Sequence, residues 1–227
     1  MARYKLAVFT GYSMKKRTKL WLGSTFLYLL FVFWYTDFSG PLSDQEIDAW
    51  VKTMESKDSD PGLITYIEGF LRNDTGRQFL MLNALDMNGA PPYVEGAQFG
   101  ENADQLMARY MEHMFPELLK RACHPALMGD AVYSALDIVG IEGAEQWDQG
   151  ALFRYRSRRS FAEIIAHPAI GGKHDFKIAA LEKTIAYPIE TSLYLSDLRF
   201  ILALVMLTIT ALLDTLIVSR RPALKAT

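Results

Sequence analysis

The stretch "QWDQGALFRYRSRRSFAEIIAHP", residues 146–168, decides which fold this chain can take. Its first half, 146–156, alternates between two sets of side chains with a period of two residues, which is typical of a β-strand. Its second half begins with serines and arginines, continues as "FAEIIA" and ends at Pro168, which indicates a helix. The stretch therefore predicts a strand that leads directly into a helix.

The alternation in 146–156 sorts the side chains of this strand onto two faces. Trp147 and Tyr155 fall on one face, which we expect to contribute to the core. Asp148 and Arg154 fall on the other face, where an ion pair would form part of a ligand pocket. Trp147 and Arg154 are therefore candidates for ligand binding.

Four arginines crowd the junction between strand and helix, at positions 154, 156, 158 and 159. Such a cluster can bind a polyanion, but the net charge of −2 and the pI near 6.1 argue against a nucleic-acid-binding protein. Ser157 or Ser160 can cap the helix, which places Arg158 and Arg159 in its first turn, where the helix dipole disfavours cations. We therefore expect these two arginines to meet a carboxylate or a lipid headgroup.

Outward from this stretch, strand and helix patterns alternate. Apolar runs between turn residues predict further strands at 77–87, 130–140 and 184–190. The segment 103–121 has an apolar stripe at helical spacing, which Pro116 should kink or interrupt. The order is β-α-β-β-α-β, the ferredoxin-like plan of an α+β protein, with helices on one face of the sheet only. The other face needs a cover, and a second copy of the chain would supply it.

A helical lead-in, residues 37–76, precedes this domain and contains two amphipathic segments, 44–54 and 62–72. Ser43 followed by Glu46 is typical of a capping box at the start of the first one. An exposed apolar patch on these two helices would indicate a membrane scaffold.

Several motifs resemble the domain of unknown function 1330 family. They are "FLMLNAL", "ARYMEHMFPELL", "EQWDQGALFRYRSRRSFAEIIAHPAI" and "HDFKIAALEKTIAYPIE", in this order within residues 77–190, half of the chain. The resemblance implies a dimeric α/β-barrel with ferredoxin-like protomers, and hence a homodimer. It also matches His174 to a position that tends to be histidine, but it implies no general activity.

Two apolar runs, 20–36 and 200–218, have the length and composition of transmembrane helices. Basic residues lie in 1–19 before the first run and in 219–227 after the second. By the positive-inside rule both termini are cytoplasmic, so 77–190 and the linker 191–199 lie on the outer side. The sequence thus predicts a two-pass protein of the inner (cell) membrane, in contact with membrane lipid, with its main domain periplasmic or otherwise extracytoplasmic.

The first apolar run has two other interpretations. A basic start and an apolar middle also describe a cleaved signal peptide, although "WYTDFSG" lacks the small residues of a cleavage site. A buried core helix is the second alternative. Met14 is an alternative start, because "MKKRTKLWLG" resembles an ordinary anchor start.

The candidate site residues are two histidines and five residues that would bind a ligand. His113 and His174 are the candidates for a general base near neutral pH. The predicted ligand-binding residues are Asn83, Tyr110, Tyr133, Trp147 and Arg154. The four histidines show no metal-ligand spacing, the single Cys123 excludes a cysteine-rich zinc site, and no phosphate loop suggests a cofactor.

These observations favour a membrane-anchored protein whose outer ferredoxin-like domain binds a small molecule or joins an assembly, for which another membrane protein is a candidate partner. The alternative is a small oxygenase-like or isomerase-like enzyme. It would hold an apolar substrate between sheet and helices, with His113 or His174 as the base. An enclosed cavity lined by two or more of the candidate residues would favour the enzyme, and a filled interior would favour the binding or assembly role.

Overall fold

The computed structural model describes residues 2–56, 60–170 and 172–219, and it divides the chain into two compact units. The central unit is Thr36–Ser192, and the terminal unit combines the segments before Thr36 and after Ser192. The helices of the described residues are α1 Ala2–Tyr35, α2 Asp44–Glu55, α3 Pro61–Arg72, α4 Ala103–Lys120, α5 Arg158–Ile165, α6 His174–Ala180 and α7 Leu198–Ser219. The strands are β1 Phe79–Met87, β2 His124–Asp130, β3 Gln149–Tyr155 and β4 Leu181–Ile189.

The four strands form one antiparallel sheet in the order β2-β3-β1-β4. The central strand β1 pairs Asn83 with Ala151 on β3 and with Ala186 on β4. Strands and helices follow each other as β-α-β-β-α-β within the central unit, which is the ferredoxin-like arrangement. The predicted α+β class and the four-stranded sheet are confirmed.

The predicted second strand at 130–140 is wrong. β2 is His124–Asp130, and the segment that follows it is a long loop that leads to β3. The sequence "DAVYSALDIVG" has strand-like composition, but it has no neighbouring strand to satisfy its backbone, and composition alone does not make a sheet. β2 itself contains Pro125 and Gly129, which weaken the strand pattern. Pro125 is tolerated because β2 lies at the edge of the sheet.

One face of the sheet carries the core. Phe79 of β1 stacks on Tyr155 of β3, with ring centroids 5.1 Å apart. Phe70 of α3 and Phe161 of α5 meet this pair edge-on, at 5.2 Å from Phe79 and 5.3 Å from Tyr155. Each such aromatic pair contributes about 0.5–1.5 kcal/mol beyond the area it buries. α4 adds Met114 and Leu118 to the same cluster.

The opposite face of the sheet is uncovered over much of its area, and we call it the open face. Paired residues on neighbouring strands share a face, which aligns Leu127, Leu152, Leu82 and Tyr187 in one row and Gly129, Gly150, Ala84 and Ile185 in the next. Leu127, Ile185 and Tyr187 are exposed. A Cβ added at Gly129 or Gly150 would meet nothing within 4 Å.

The lead-in helices pack on the domain. Ser43 caps α2 and forms the predicted capping box with Glu46. Ile47 of α2 and Leu71 of α3 are buried in one cluster with Ala162 of α5. Because their apolar stripes are buried there, α2 and α3 do not provide the patch expected of a membrane scaffold.

Pro116 lies inside α4, and the helix continues through it to Lys120. Of the two effects predicted for Pro116, a kink or an interruption, the interruption does not occur. The predicted strand at 184–190 is present, but β4 begins earlier, at Leu181.

The terminal unit consists of α1 and α7, which contact each other. Arg17 donates to both carboxylate oxygens of Asp214 at 2.6 and 2.8 Å, and the Thr210 hydroxyl donates to Ser24 at 2.7 Å. Asp214 of α7 thus pairs with a cation of α1. In the described residues, α7 is the one helix long and apolar enough to cross a membrane.

Candidate functional site

The predicted ligand-binding residues do not converge on one pocket. Asn83 lies on the core face of β1, where its side-chain amide donates to the Met81 carbonyl at 3.1 Å. Arg154 pairs with Leu80 across the sheet, so it lies on the opposite face. Two side chains on opposite faces of a sheet cannot line the same cavity.

Arg154 is fully buried and bound to the protein itself. Its Nε and Nη2 donate to the Gln78 Oε1 at 2.9 and 2.7 Å, and its Nη1 donates to the Ala122 carbonyl at 2.7 Å. Asp148 lies six residues before Arg154 and immediately before β3, about 20 Å away at the rise of an extended chain, which rules out the expected ion pair. Asp148 instead accepts from the backbone N–H of Met87 at 2.6 Å. The guanidinium therefore joins β3 to the segments before β1 and β2.

The junction arginines meet carboxylates, as expected. Arg159 contacts Glu46 of α2 at 3.1 Å, and Arg158 contacts Glu190 at 3.0 Å. Ser157, the first of the two predicted caps, accepts from the backbone N–H of Ser160 at 3.1 Å. Hydrogen bonds from Arg159 and from Ser43 lower the pKa of Glu46 to about 2. The Arg159–Glu46 ion pair attaches α5 to the lead-in. Contacts within the protein therefore account for the positive charge of the junction arginines without a bound polyanion.

Tyr133 and Trp147 belong to the long loop between β2 and β3 rather than to the core. Tyr133 is exposed. Trp147 is half-buried, donates from Nε1 to the Ala144 carbonyl at 2.8 Å, and has the Lys183 ammonium 5.0 Å from its ring centroid. The expectation that Trp147 lies in the core is thus wrong, because its strand begins only at Gln149.

Tyr110 and His174 are the two predicted site residues that the fold brings together. α4 packs on α6, and the rings of Tyr110 and His174 meet edge-to-face with centroids 6.1 Å apart. Lys177, one turn after His174, holds its ammonium 5.9 Å from the Tyr110 ring centroid. We call Tyr110, His174 and Lys177 the α4–α6 cluster. His113 lies one turn after Tyr110 on α4 and is half-buried.

The surroundings of the α4–α6 cluster shift its protonation equilibria. Burial raises the pKa of Tyr110 to about 12. Burial and, secondarily, the positive charge of Lys177 lower the pKa of His174. Burial also lowers the pKa of Lys177. At neutral pH the His174 imidazole is therefore neutral and able to accept a proton, beside a phenol that can donate a hydrogen bond.

Lys177 is the member of the cluster that the sequence did not single out. The sequence could have identified Lys177 by its spacing from His174, which was already a candidate. Residues three apart on a helix lie on neighbouring surface. In the described part of the chain, Lys177 has no carboxylate within ion-pair distance. The cluster can thus offer a cation and a phenol to an anionic or carbonyl group.

A cleft of about 200 Å³ lies at the β2–β3 pair, lined by Met128, Gly129, Asp130, Gln149, Gly150 and Ala151. None of the predicted site residues lines it, and its volume is below the ~300–1,000 Å³ of typical ligand pockets. In the described residues, no group of three or more His, Cys, Asp or Glu side chains is placed to hold a metal ion.

Comparison with protein-family profiles and with curated proteins gives no match. Among solved structures, a protein of unknown function from Rhodopseudomonas palustris is 18% identical, with a TM-score of 0.48, over 60% of this chain and 97% of that one. A protein from Arabidopsis thaliana is 16% identical, with a TM-score of 0.32, over 51% of this chain and 97% of that one. A dimeric protein of unknown function with a ferredoxin-like fold, from Bacteroides fragilis, is 9% identical, with a TM-score of 0.30, over 50% and 96%. At these identities and scores the neighbours assign neither a family nor an activity.

Proposed function

We propose that this protein is anchored in the cell membrane by α1 and α7, with the central unit Thr36–Ser192 on the outer side, where it binds a small molecule or serves as a partner in an assembly. The observation that carries this proposal is the distribution of polar and apolar side chains in the terminal unit. Polar groups such as Ser24, Thr210 and Asp214 face the neighbouring helix, while large apolar side chains face outward. This is the arrangement of a helix pair in lipid and the opposite of one in water.

The apolar half of α1 supports a second span beside α7. Its exposed large side chains are Leu22, Phe26, Leu27, Leu29, Leu30 and Phe33, with Trp21 and Trp34 at the two ends. Tryptophans at both ends of an apolar run match the aromatic belts at the membrane surfaces. The Arg17–Asp214 pair supports the same pairing, because a carboxylate near the end of a span is stabilised by a cation from the adjacent helix.

Fractionation of cells and topology reporters test this anchoring. We expect the full chain to stay in the membrane fraction after a high-salt or alkaline wash. An outer-side reporter should be active when fused at residue 100 and inactive at residue 225. Activity at 225 but not at 100 would show the opposite orientation. Release of the protein by alkaline wash would show that it is not anchored by transmembrane helices.

The open face supports a homodimer in which the two sheets face each other. It presents rows of apolar and small residues to solvent, which a monomeric protein would normally cover. The resemblance to the domain of unknown function 1330 family implies the same mode of association. Light scattering in mild detergent should give twice the 25.7 kDa chain mass for the protein moiety, and Leu82→Asp should halve it. A monomeric wild type would overturn the homodimer.

The interior between sheet and helices supports a binding or assembly role rather than an enclosed active site there. The aromatic cluster of Phe70, Phe79, Tyr155 and Phe161 fills the region between β1, β3 and the helices. Purification in mild detergent, followed by mass spectrometry of proteins and small molecules, tests this role. We expect a reproducible partner, either a membrane protein or a bound small molecule. Recovery of the homodimer alone would contradict it.

The α4–α6 cluster favours a second candidate, a small enzyme. A neutral His174 would serve as the base, and Tyr110 with Lys177 would orient a carbonyl or carboxylate group of the substrate. In a substrate screen, His174→Gln should abolish any turnover while His124→Gln, in β2, leaves it unchanged. Equal activity of the two variants would exclude His174 as the base.

A further inference from the structure

Lys177 is a half-buried lysine without an acidic partner. Elsewhere in the central unit, Lys120 lies 2.6 Å from Glu117 and Lys183 lies 3.3 Å from Asp86. Among the described residues, no carboxylate lies within ion-pair distance of the Lys177 ammonium, and no acceptor forms a hydrogen bond with it. A cation that is taken partly out of water is normally paired. Lys177 therefore differs from a lysine that stabilises the fold through an ion pair.

The packing of α6 on α4 determines where the Lys177 amine lies. Phe176, Ala179 and Ala180 of α6 are buried in a cluster with the first half of α4. Lys177 lies beside this buried stripe and keeps only part of its exposure. Its ammonium lies 5.9 Å from the centroid of the Tyr110 ring. The amine is thus at the edge of an apolar helix interface, where a small molecule can reach it from solvent.

The surroundings of Lys177 favour an amine that reacts with electrophiles. Burial lowers its pKa, so at neutral pH a larger share of the side chain is the neutral amine than in an exposed lysine. The neutral amine of a desolvated lysine is a nucleophile toward carbonyl carbon atoms. His174, one turn earlier on α6, is neutral for the same reason and can accept the proton that the ammonium must lose. A nucleophile and a base thus lie within one helical turn.

We propose that Lys177 binds aldehydes covalently as a Schiff base, with His174 transferring the protons and Tyr110 donating a hydrogen bond to the aldehyde oxygen. The inference rests on the small enzyme given above as the second candidate function. It makes Lys177 the nucleophile of that site, where the candidate function used it only as a cation that orients the substrate.

The reaction needs no oxidant or reductant. His174 takes one proton from the Lys177 ammonium, and the freed electron pair of the nitrogen forms a bond to the aldehyde carbon. The π electrons of the C=O bond move to the oxygen, which then takes a proton from the nitrogen and becomes a hydroxyl. Protonated His174 gives its proton to this hydroxyl, the C–O bond breaks and water leaves. The nitrogen electron pair closes the C=N bond, so ammonium and aldehyde become iminium and water.

The surroundings favour an aldehyde with an apolar substituent. The iminium keeps the positive charge of the ammonium, so the Tyr110 ring stabilises both by the same cation–π interaction. Met107, three residues before Tyr110 on α4, is partly buried at the same helix interface and offers an apolar contact. An aldehyde carries one carbon substituent on its carbonyl and therefore reaches a half-buried amine more readily than a ketone does.

Reductive trapping of the full chain in mild detergent tests the Schiff base. Hexanal at limiting concentration and cyanoborohydride convert each Schiff base into a stable alkylated lysine, which peptide mass spectrometry quantifies. Lys173 is the internal control, because it is also half-exposed and its ammonium also lies over a ring, that of Phe176 at 5.4 Å. We expect alkylation of Lys177 to be at least about tenfold faster than that of Lys173. Equal rates at the two lysines would overturn the proposal.

Two conservative variants distinguish a built site from a lysine that is merely accessible. Tyr110→Phe and His174→Gln should each slow the alkylation of Lys177 at least about tenfold and leave that of Lys173 unchanged. Equal thermal unfolding at neutral pH shows that the variants are folded. If Lys177 were alkylated at the wild-type rate in both variants, the roles of the phenol and the imidazole would be overturned.

Lys177→Arg separates the nucleophile from an orienting cation, because arginine keeps the positive charge and forms no Schiff base. Where a substrate screen finds turnover that His174→Gln abolishes, Lys177→Arg should abolish it as well. Turnover retained in Lys177→Arg would overturn the Schiff base and keep the enzyme with an orienting cation. Preferential trapping at Lys177 without any turnover would keep the Schiff base and overturn the enzyme.

Discussion

At the residue scale, Arg154 and the α4–α6 cluster show how burial changes the role of a polar side chain. The sequence identified Arg154 as the arginine most suited to a pocket, and the structure buries it completely among its own hydrogen-bond acceptors. Conversely, Lys177 was not among the predicted site residues, and the structure places its ammonium beside the Tyr110 ring. In both cases the partners come from distant segments, which the residue types alone do not specify.

Replacing Arg154 by methionine should destabilise the protein by about 2–4 kcal/mol, because Gln78 and the Ala122 carbonyl lose their donors in a buried place. Arg154→Lys should recover less than half of this loss, since an ammonium lacks the planar fork that reaches both acceptors. Chemical unfolding in mild detergent measures the effect, with the exposed Arg77→Met as the control. Equal stability of Arg154→Met and Arg77→Met would contradict the structural role.

The pKa of His174 should lie below 6.5 and should rise when Lys177 is replaced by methionine, because the lysine charge disfavours the imidazolium. Lys173→Met should leave that pKa unchanged. Histidine-selective NMR titration measures it, with His174→Gln for assignment. If the pKa of His174 did not change in Lys177→Met, the lysine charge would not act on the imidazole.

The lowered pKa of His174 determines the direction in which stability changes with pH. Because the folded state holds His174 neutral, its contribution is complete above pH 6.5 and is lost as the pH falls below 6.5, where the unfolded chain binds the proton more readily. In His174→Gln this part of the pH dependence should disappear from the thermal unfolding curve. An unchanged acid limb would show that His174 does not contribute to it.

At the element scale, local patterns predicted the helices well and the edge strand poorly. Capping residues and apolar stripes identified α2 and α4, because the signals for a helix lie within a few residues of each other. The predicted strand at 130–140 was wrong and β2 was missed, because an edge strand with Pro125 and Gly129 is stabilised by pairing with β3. Residues 131–140 lie instead in the loop between β2 and β3.

The pairing of α1 with α7 predicts a specific cross-link. The Ser24 and Thr210 hydroxyls lie 2.7 Å apart, so cysteines at both positions should form an intramolecular disulfide in membranes on mild oxidation. The native Cys123 should not interfere, because burial raises its pKa to about 11 and keeps the thiol unreactive. A control pair at Leu22 and Leu212, both exposed, should not cross-link. Equal yields for both pairs would contradict the helix pairing.

At the scale of the whole molecule, the chain combines a unit built on a four-stranded sheet with a pair of helices whose outward side chains are apolar. The ferredoxin-like order could be predicted from the sequence because its strands and helices alternate, and the apolar helix α7 could be predicted from the run 200–218. The contacts that define a site could not, because Tyr110 and Lys177 meet only through the packing of α4 on α6. Likewise, the exposure of the side chains in the loop between β2 and β3 became known only from the structure.

The proposed topology is a two-span anchor with the unit Thr36–Ser192 on the outer side. Labelling with a membrane-impermeant maleimide tests it most directly, because the buried Cys123 gives little background. Glu95→Cys, on an exposed loop, should react in cells whose inner membrane is intact, whereas Ala226→Cys should react only after that membrane is opened. Labelling of position 226 in intact cells, or protection of position 95 until lysis, would contradict the account.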